Sequence, residues 1–429
     1  MKRALKWLLA TMLALVAAAA LVWAMNVRGD ADVNEVKEVK EVALSPANSE
    51  LIARGAYLAR AGNCMACHTT RGGEPYAGGR AIETPFGAVY TSNLTPDDQS
   101  GIGSWSPAHF WRAMHNGRSK DGRLLYPAFP YTSYTQITRE DSDALFAYLR
   151  SMPAVFNPNR AHTLQFPFNS QAALAVWRAL YFKPGVYQLD AGRNAEWNRG
   201  AYLVQSLGHC SACHAARNAL GATTAGAGLA GGLIPVQNWY APSLASPHEA
   251  GVAEWDQQEI VSLLKNGVSK NASVAGPMAG VVLGSTQYLT PDDLAAMAQY
   301  LKQLPPSTSA KPQSSSAAGS AAGAKLYEQH CAGCHGLQGD GVPNAYPSLA
   351  GNRAVTMPQT ANLVQIVLHG GYAPATQGNP RPFGMPPFVL VLSDSEIAAL
   401  LTHLRQSWGN QASGVTALDV YRIRANQGK

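Results

Sequence analysis

Cysteine is scarce in this chain of 429 residues: there are six, and each falls inside one of three copies of a single five-residue pattern. None is left for a structural disulfide, so covalent staples cannot hold the fold. Charge is thin as well. Asp, Glu, Lys and Arg make up 14% of the residues, and the formal net charge of +6 comes from dispersed lysines and arginines rather than a stripe. Nothing marks a nucleic-acid partner. Also missing are a glycine fingerprint after a strand, a nucleophile elbow, and a cluster of carboxylates at catalytic spacing. The sequence therefore offers no substrate-oxidising site of its own, and catalytic residues are expected to be absent.

What is present is the pattern Cys-x-x-Cys-His, at Cys64, Cys67 and His68, at Cys210, Cys213 and His214, and at Cys331, Cys334 and His335. Two thiols one helical turn apart can form thioethers with the two vinyls of a haem, while the next imidazole reaches the iron. A lone Cys-x-x-Cys also fits half a zinc site or a redox dithiol, but no second ligand pair accompanies any copy here. The expected cofactors are three covalently bound haem c groups, with the cysteines as attachment points and His68, His214 and His335 as iron ligands.

Lys2, Arg3 and Lys6 precede an uncharged stretch from Trp7 to Val27, with Trp7 and Trp23 near its two ends. Its length suffices for a helix to cross a bilayer, the aromatics suit the interfaces, and the positive flank stays inside. The body is then exported. Val22-Trp23-Ala24 resembles a signal-peptide cleavage site, so residues 1–28 read as a membrane anchor or a signal peptide. The stretch exceeds a usual signal core, which favours a retained anchor. Residues 29–50 are polar and acidic and read as a tether.

A repeat divides the rest. Arg54-Gly55-Ala56-Tyr57-Leu58 leads into Cys64, Arg199-Gly200-Ala201-Tyr202-Leu203 into Cys210, and Gly323-Ala324-Lys325-Leu326-Tyr327 into Cys331. Each unit closes with an amphipathic helix started by an acidic turn, at Thr138 to Arg150, Thr290 to Lys302 and Ser393 to Arg405. The fold class is thus mainly α, three tandem cytochrome c-like haem domains behind an N-terminal transmembrane or signal helix. The expected domains are residues 51–152, 196–304 and 323–408. Segment 153–195 bridges the first two, with a helix from Gln171 to Phe182, and 409–429 forms a tail. Residues 305–322 are mostly Pro, Ser, Ala and Gly and read as a flexible linker, which would let the third domain sit away from the others.

The sixth iron ligand in such domains usually comes from a Pro-rich loop ahead of the closing helix. Phe383-Gly384-Met385-Pro386-Pro387 offers Met385, and Gly276-Pro277-Met278-Ala279 offers Met278. In the first domain Tyr126-Pro127-Ala128-Phe129-Pro130-Tyr131 places Phe129 there, which cannot coordinate iron. Either that haem is five-coordinate or another residue supplies the ligand, with Met114, His115 and Met152 as the candidates. Backbone carbonyls are expected to fix the histidines. Pro242-Ser243-Leu244 and Pro347-Ser348-Leu349 suit that role, and the first domain has Ser92-Asn93-Leu94 without the proline.

Residues 54–410 resemble the membrane-bound triheme cytochrome c subunits of bacterial periplasmic dehydrogenases, including those of quinone-linked alcohol, gluconate and aldehyde dehydrogenases. The specific segments are Thr84-Pro85-Phe86-Gly87 with Ser92-Asn93-Leu94-Thr95-Pro96, the Tyr126 to Tyr131 loop, and Trp197-Asn198-Arg199-Gly200. Phe129 in place of methionine looks more like members paired with molybdenum hydroxylases acting on aldehydes or N-heterocycles than like those paired with quinoprotein alcohol dehydrogenases. The resemblance implies a catalytic dehydrogenase subunit as electron donor, ubiquinone or a terminal oxidase as acceptor, and an inner-membrane location with haem domains facing the periplasm. A freestanding or oxidase-associated carrier is the alternative. A peroxidase would need a distal acid or base, for which only His115 is nominally placed.

Overall fold

The computed structural model describes residues 2–27, 49–223, 228–270, 272–307, 320–343 and 345–425. The tether and linker lie almost wholly outside the described residues. By internal contacts the chain forms two compact units, Met1–Leu189 with Gln205–His209, and Asp190–Val204 with Cys210–Lys429.

Three times a lead helix crosses a closing helix: Ser49–Ala61 with Arg139–Arg150, Ala195–Gln205 with Pro291–Lys302, and Ala321–His330 with Asp394–Gln406. The closing helices start where the sequence places them. The Thr138, Thr290 and Ser393 hydroxyls accept from the backbone N–H groups of Asp141, Asp293 and Glu396 at 3.2, 3.2 and 3.3 Å, satisfying amides that the helix leaves unpaired.

A glycine sets each crossing. A Cβ built on Gly55 would lie 1.9 Å from the Ala144 carbonyl oxygen, one on Gly200 1.9 Å from that of Ala296, and one on Gly323 2.2 Å from that of Ala399. No side chain fits, so the two backbones touch. In the first two domains the preceding arginine bridges the same crossing. Arg54 Nε donates to Asp141 at 2.9 Å, and Arg199 makes two bonds of 2.7 Å to Asp293.

In the first unit the strands Ala81–Thr84 and Gly87–Tyr90 form an antiparallel hairpin, and Thr163–Leu164 from the bridging segment adds a third strand beside it. The bridging helix spans Gln171–Tyr181, capped by Ser170, and the segment is built into the first unit as far as Leu189. Within the N-terminal helix Lys2–Val27 the 25 residues Arg3–Val27 contain an 18-residue window of mean hydropathy 2.3, long and apolar enough to cross a membrane.

Two expectations need correction. The third domain does not stand away from the second: both lie in the second unit, where Asn362 exchanges two hydrogen bonds with the Tyr240 backbone, at 2.8 and 2.7 Å, and Arg353 donates to the Gly251 carbonyl at 2.6 Å. The composition of a linker reports only that the linker builds no core, not how well its neighbours fit each other. Nor do residues 409–425 trail as a tail. The helix Ala417–Ala425 packs on the closing helix, burying Val415 and Val420, while fully buried Arg405 donates to the carbonyls of Val355, Met357 and Ser413 at 2.6, 2.9 and 2.6 Å.

Candidate functional site

Each Cys-x-x-Cys-His run forms a single helical turn directly after its lead helix: Cys64–His68, Ser211–His214 and Ala332–His335. A turn is what the motif requires, since residues three apart then share a face. The residue before the first two runs is in the left-handed region, Asn63 at φ 48° and His209 at φ 36°, so the chain reverses sharply out of the lead helix. In each pair the first cysteine is half-buried and the second exposed.

All three histidines are held alike. Nδ1 of His68 lies 2.8 Å from the Ser92 carbonyl oxygen, Nδ1 of His214 2.7 Å from that of Pro242, and Nδ1 of His335 2.9 Å from that of Pro347. A carbonyl only accepts, so Nδ1 carries the proton and Nε2 presents its lone pair. Burial lowers the pKa of each ring, which keeps it neutral and available as a ligand. Ser92 serves without proline, because the acceptor is backbone.

The first sulfur of each pair sits where a neutral group is favoured over a thiolate. Burial pushes the Cys64 and Cys210 thiols up to about 12 and the Cys331 thiol to about 11. A zinc or iron–sulfur site needs the deprotonated form, whereas a thioether is neutral. Among the described residues no group of three or more His, Cys, Asp or Glu side chains could hold a metal ion alone. The residues present fit haem c.

Arginines support two of the turns in a way the motif does not announce. Arg80 donates to the Ala66 carbonyl, and Arg217 donates to the Ala212 carbonyl at 2.5 Å, the same position in each run. Arg217 comes three residues after its histidine and Arg80 twelve after, so no common spacing reveals them.

Met385 lies half-buried in the strand Gly384–Met385, paired with Gly371–Tyr372 and packed against the same core as Cys331 and Ala332. Met278 is not in a loop. It is the second residue of the helix Pro277–Gly284, because Pro277 starts the helix and Gly276, at φ 54°, turns tightly against the Trp239 ring.

In the first domain Phe129 contacts Tyr134 at 5.2 Å between ring centroids. Burial, with the Cys64 and Cys67 thiols beside it, raises the Tyr134 phenol well above its ordinary pKa. His209 stands edge-on to the same ring at 5.5 Å. Phe129 is thus joined through Tyr134 to the first cysteine pair. Met114 is buried in the core, Met152 is half-buried beyond the closing helix, and His115 stacks on Trp111 at 4.5 Å with Nδ1 2.7 Å from the Thr135 carbonyl oxygen.

Lead and closing helices crossing three times beside three oriented histidines and cysteine pairs define a multihaem c-type cytochrome. The cytochrome c family profile matches residues 52–153, 198–305 and 320–408, and the chain belongs to that family, with three cytochrome c domains, three covalently bound haem c groups and a role in electron transfer. It is 39% identical over 398 residues to the alcohol dehydrogenase (quinone) cytochrome c subunit of Gluconacetobacter polyoxogenes, covering 88% of this chain and 85% of the relative. The gluconate 2-dehydrogenase cytochrome c subunit of Pantoea cypripedii is 37% identical over 402 residues, 89% of this chain and 91% of the relative. A nicotinate dehydrogenase component of Pseudomonas putida is 40% identical over 411 residues, covering 92% of this chain but 33% of that larger protein.

Proposed function

We propose that this chain is the electron-relaying subunit of a membrane-bound dehydrogenase, held at the inner membrane with its haem domains in the periplasm. It takes electrons from a catalytic dehydrogenase subunit and passes them to ubiquinone or a terminal oxidase. Haem iron supplies one-electron redox chemistry. The chain's own residues do the rest. Cys64, Cys67, Cys210, Cys213, Cys331 and Cys334 tether the groups, and His68, His214 and His335 present Nε2 as the constant ligand. Met278 and Met385 would supply a second iron ligand in the second and third domains, where a thioether would favour the reduced state. The first domain lacks that ligand at Phe129.

The observation that carries the reading is the threefold histidine-to-carbonyl arrangement on a chain similar over most of its length to dehydrogenase cytochrome subunits. A retained anchor is supported by Asn26, which is buried against the first unit and donates to the Ala175 carbonyl at 2.9 Å, just past the cleavage-like Ala24. Phe129, together with the similarity to the nicotinate dehydrogenase component, favours a partner that oxidises an N-heterocycle. The test is purification from detergent-solubilised membranes, identification of the accompanying large subunit, and reduction of the haems by ethanol, gluconate or nicotinate. A chain that purifies alone, with haems reduced by none of a wide panel of substrates, would refute the dehydrogenase pairing in favour of a freestanding carrier.

A further inference from the structure

The bridging helix Gln171–Tyr181 buries its charge beside Leu174 and leaves a second aliphatic stripe exposed. Its one charged residue, Arg178, is 3% exposed, while Val176 is 47% and Leu180 65% exposed. With Ala172, these occupy positions four apart and form one apolar stripe facing outward. An amphipathic helix on a water-facing surface turns its charge out and its aliphatic residues in. Trp177 and Tyr181, 5.5 Å apart, sit at the same end of the helix, and Tyr181 is exposed.

The reason Arg178 points inward is the end of the N-terminal helix. Arg178 Nε donates to Asn26 Oδ1 at 2.9 Å, Asn26 Nδ2 donates to the Ala175 carbonyl at 2.9 Å, and Arg118 donates to the Asn26 carbonyl at 3.1 Å. The Arg178 guanidinium also lies over the rings of Tyr131 and Phe182, at 5.2 and 4.7 Å. Within the first unit, then, the last turn of the apolar helix is latched to the middle of the bridging helix.

We infer that the bridging helix Gln171–Tyr181 lies in the interfacial layer of the bilayer, with Ala172, Val176 and Leu180 against lipid. The inference rests on the anchored reading above. A helix that leaves the bilayer near Val27 and is fastened there to a second helix leaves that helix no more than about one helix diameter, ~10 Å, from the membrane surface. A surface-lying helix buries its apolar face at the boundary between headgroups and acyl chains, and Trp and Tyr suit that depth. The latch fixes the haem domain's orientation, where a lone anchor on a tether would leave it free to tumble.

Because all six native cysteines belong to haem motifs, a new cysteine can be spin-labelled uniquely. The full-length holoprotein, with the subunits that copurify, is placed in lipid nanodiscs with a nitroxide at Val176→Cys, Leu180→Cys, Leu13→Cys or Leu418→Cys. Haem content checks that each variant folds. Leu13 lies in the apolar helix and Leu418 is an exposed residue of the C-terminal helix. The expected result is that labels at 176 and 180 collide with oxygen more than with a water-soluble nickel chelate, as at 13 and unlike 418. Labels at 176 and 180 that behave like 418 while 13 stays lipid-like overturn this inference alone. Shielding of 176 and 180 from both reagents marks a protein partner and also overturns it. A water-like signal at 13 overturns the anchored reading and the inference with it.

Discussion

Replacing Gly200 by alanine is the sharpest test of how the three domains are held. The new Cβ would stand 1.9 Å from the Ala296 carbonyl oxygen, 2.5 Å from its carbon and 3.0 Å from the Tyr300 Cβ. A comfortable carbon-to-oxygen contact is about 3.3 Å, so the helices must part by roughly 1.4 Å at this point. The obstacle is backbone and cannot rotate away. Overpacking of this kind costs about 1–3 kcal/mol, and the same movement stretches the paired bonds between Arg199 and Asp293, whose contribution is small because the arginine is partly exposed. A total near ~2 kcal/mol in a domain of about 100 residues lowers its unfolding midpoint by roughly 8–16 °C. The assay is scanning calorimetry of the holoprotein, with Gly280→Ala as control. A Cβ on Gly280 meets nothing within 4 Å, and alanine there should be neutral or stabilising by up to ~1 kcal/mol. Gly55→Ala and Gly323→Ala should each destabilise their own domain. If Gly200→Ala unfolds at the same temperature as Gly280→Ala, the helices do not meet as described.

Met385→Leu and Met278→Leu should each lower the potential of one haem and remove its sulfur-to-iron absorption band at the red end of the visible spectrum, read by redox titration. Unchanged titrations in both would refute the ligand assignments. Phe129→Met should move the first haem toward the His/Met type and weaken carbon monoxide binding to its reduced form, measured as the fraction of haem that binds the gas. Arg405→Leu leaves the carbonyls of Val355, Met357 and Ser413 without their donor and should destabilise the third domain by about 3 kcal/mol, seen as faster proteolysis of residues after 320. A chain ending at residue 408 should do at least as much harm, because Val415 and Val420 then leave the core.

The repeated skeleton was legible because it depends on local chemistry. A capping hydroxyl before an acidic turn fixes where a helix starts, and Thr138, Thr290 and Ser393 each begin one. The repeat around Arg54-Gly55 and Arg199-Gly200 marked the lead helices, while the glycine's part in the crossing shows only in the structure. The carbonyl partners of the three histidines were readable because a carbonyl belongs to any residue, Ser92 included. What escaped depends on contacts remote in sequence. Arg80 and Arg217 reach equivalent carbonyls from different offsets, the packing of the second domain against the third is set by Asn362 and Tyr240, 122 residues apart, and Asn26 meets Arg178 across 152. Met278 was expected in a loop because proline and glycine flank it, although proline at the first turn of a helix is as natural as proline in a loop.

The first domain's departure from the common ligand pattern has a structural counterpart in the same loop. In the third domain the corresponding segment is a short strand that carries Met385 beside the haem-motif core. In the first, the segment leads into Tyr131, which is fully buried, packs edge-on against Phe182 at 4.9 Å, and lies beneath the Arg178 guanidinium. Gly117 makes room for it: a Cβ there, at φ 58°, would lie 2.6 Å from the Tyr131 ring. Two residues earlier Phe129 contacts both Tyr131 and Tyr134. The loop that offers a thioether in the third domain is here an aromatic brace running from the first cysteine pair, through Tyr134, Phe129 and Tyr131, to Arg178 and Asn26. A flexible methionine in that chain would remove one ring contact from each side. Phe129→Met thus changes two things at once, the chemistry open to the iron and the stiffness of the link to the anchor. The two effects separate experimentally, because Phe129→Leu removes the rings' contact without supplying a ligand: it should loosen the brace, seen as faster amide exchange at residues 129–135, while leaving carbon monoxide binding to the first haem unimpaired.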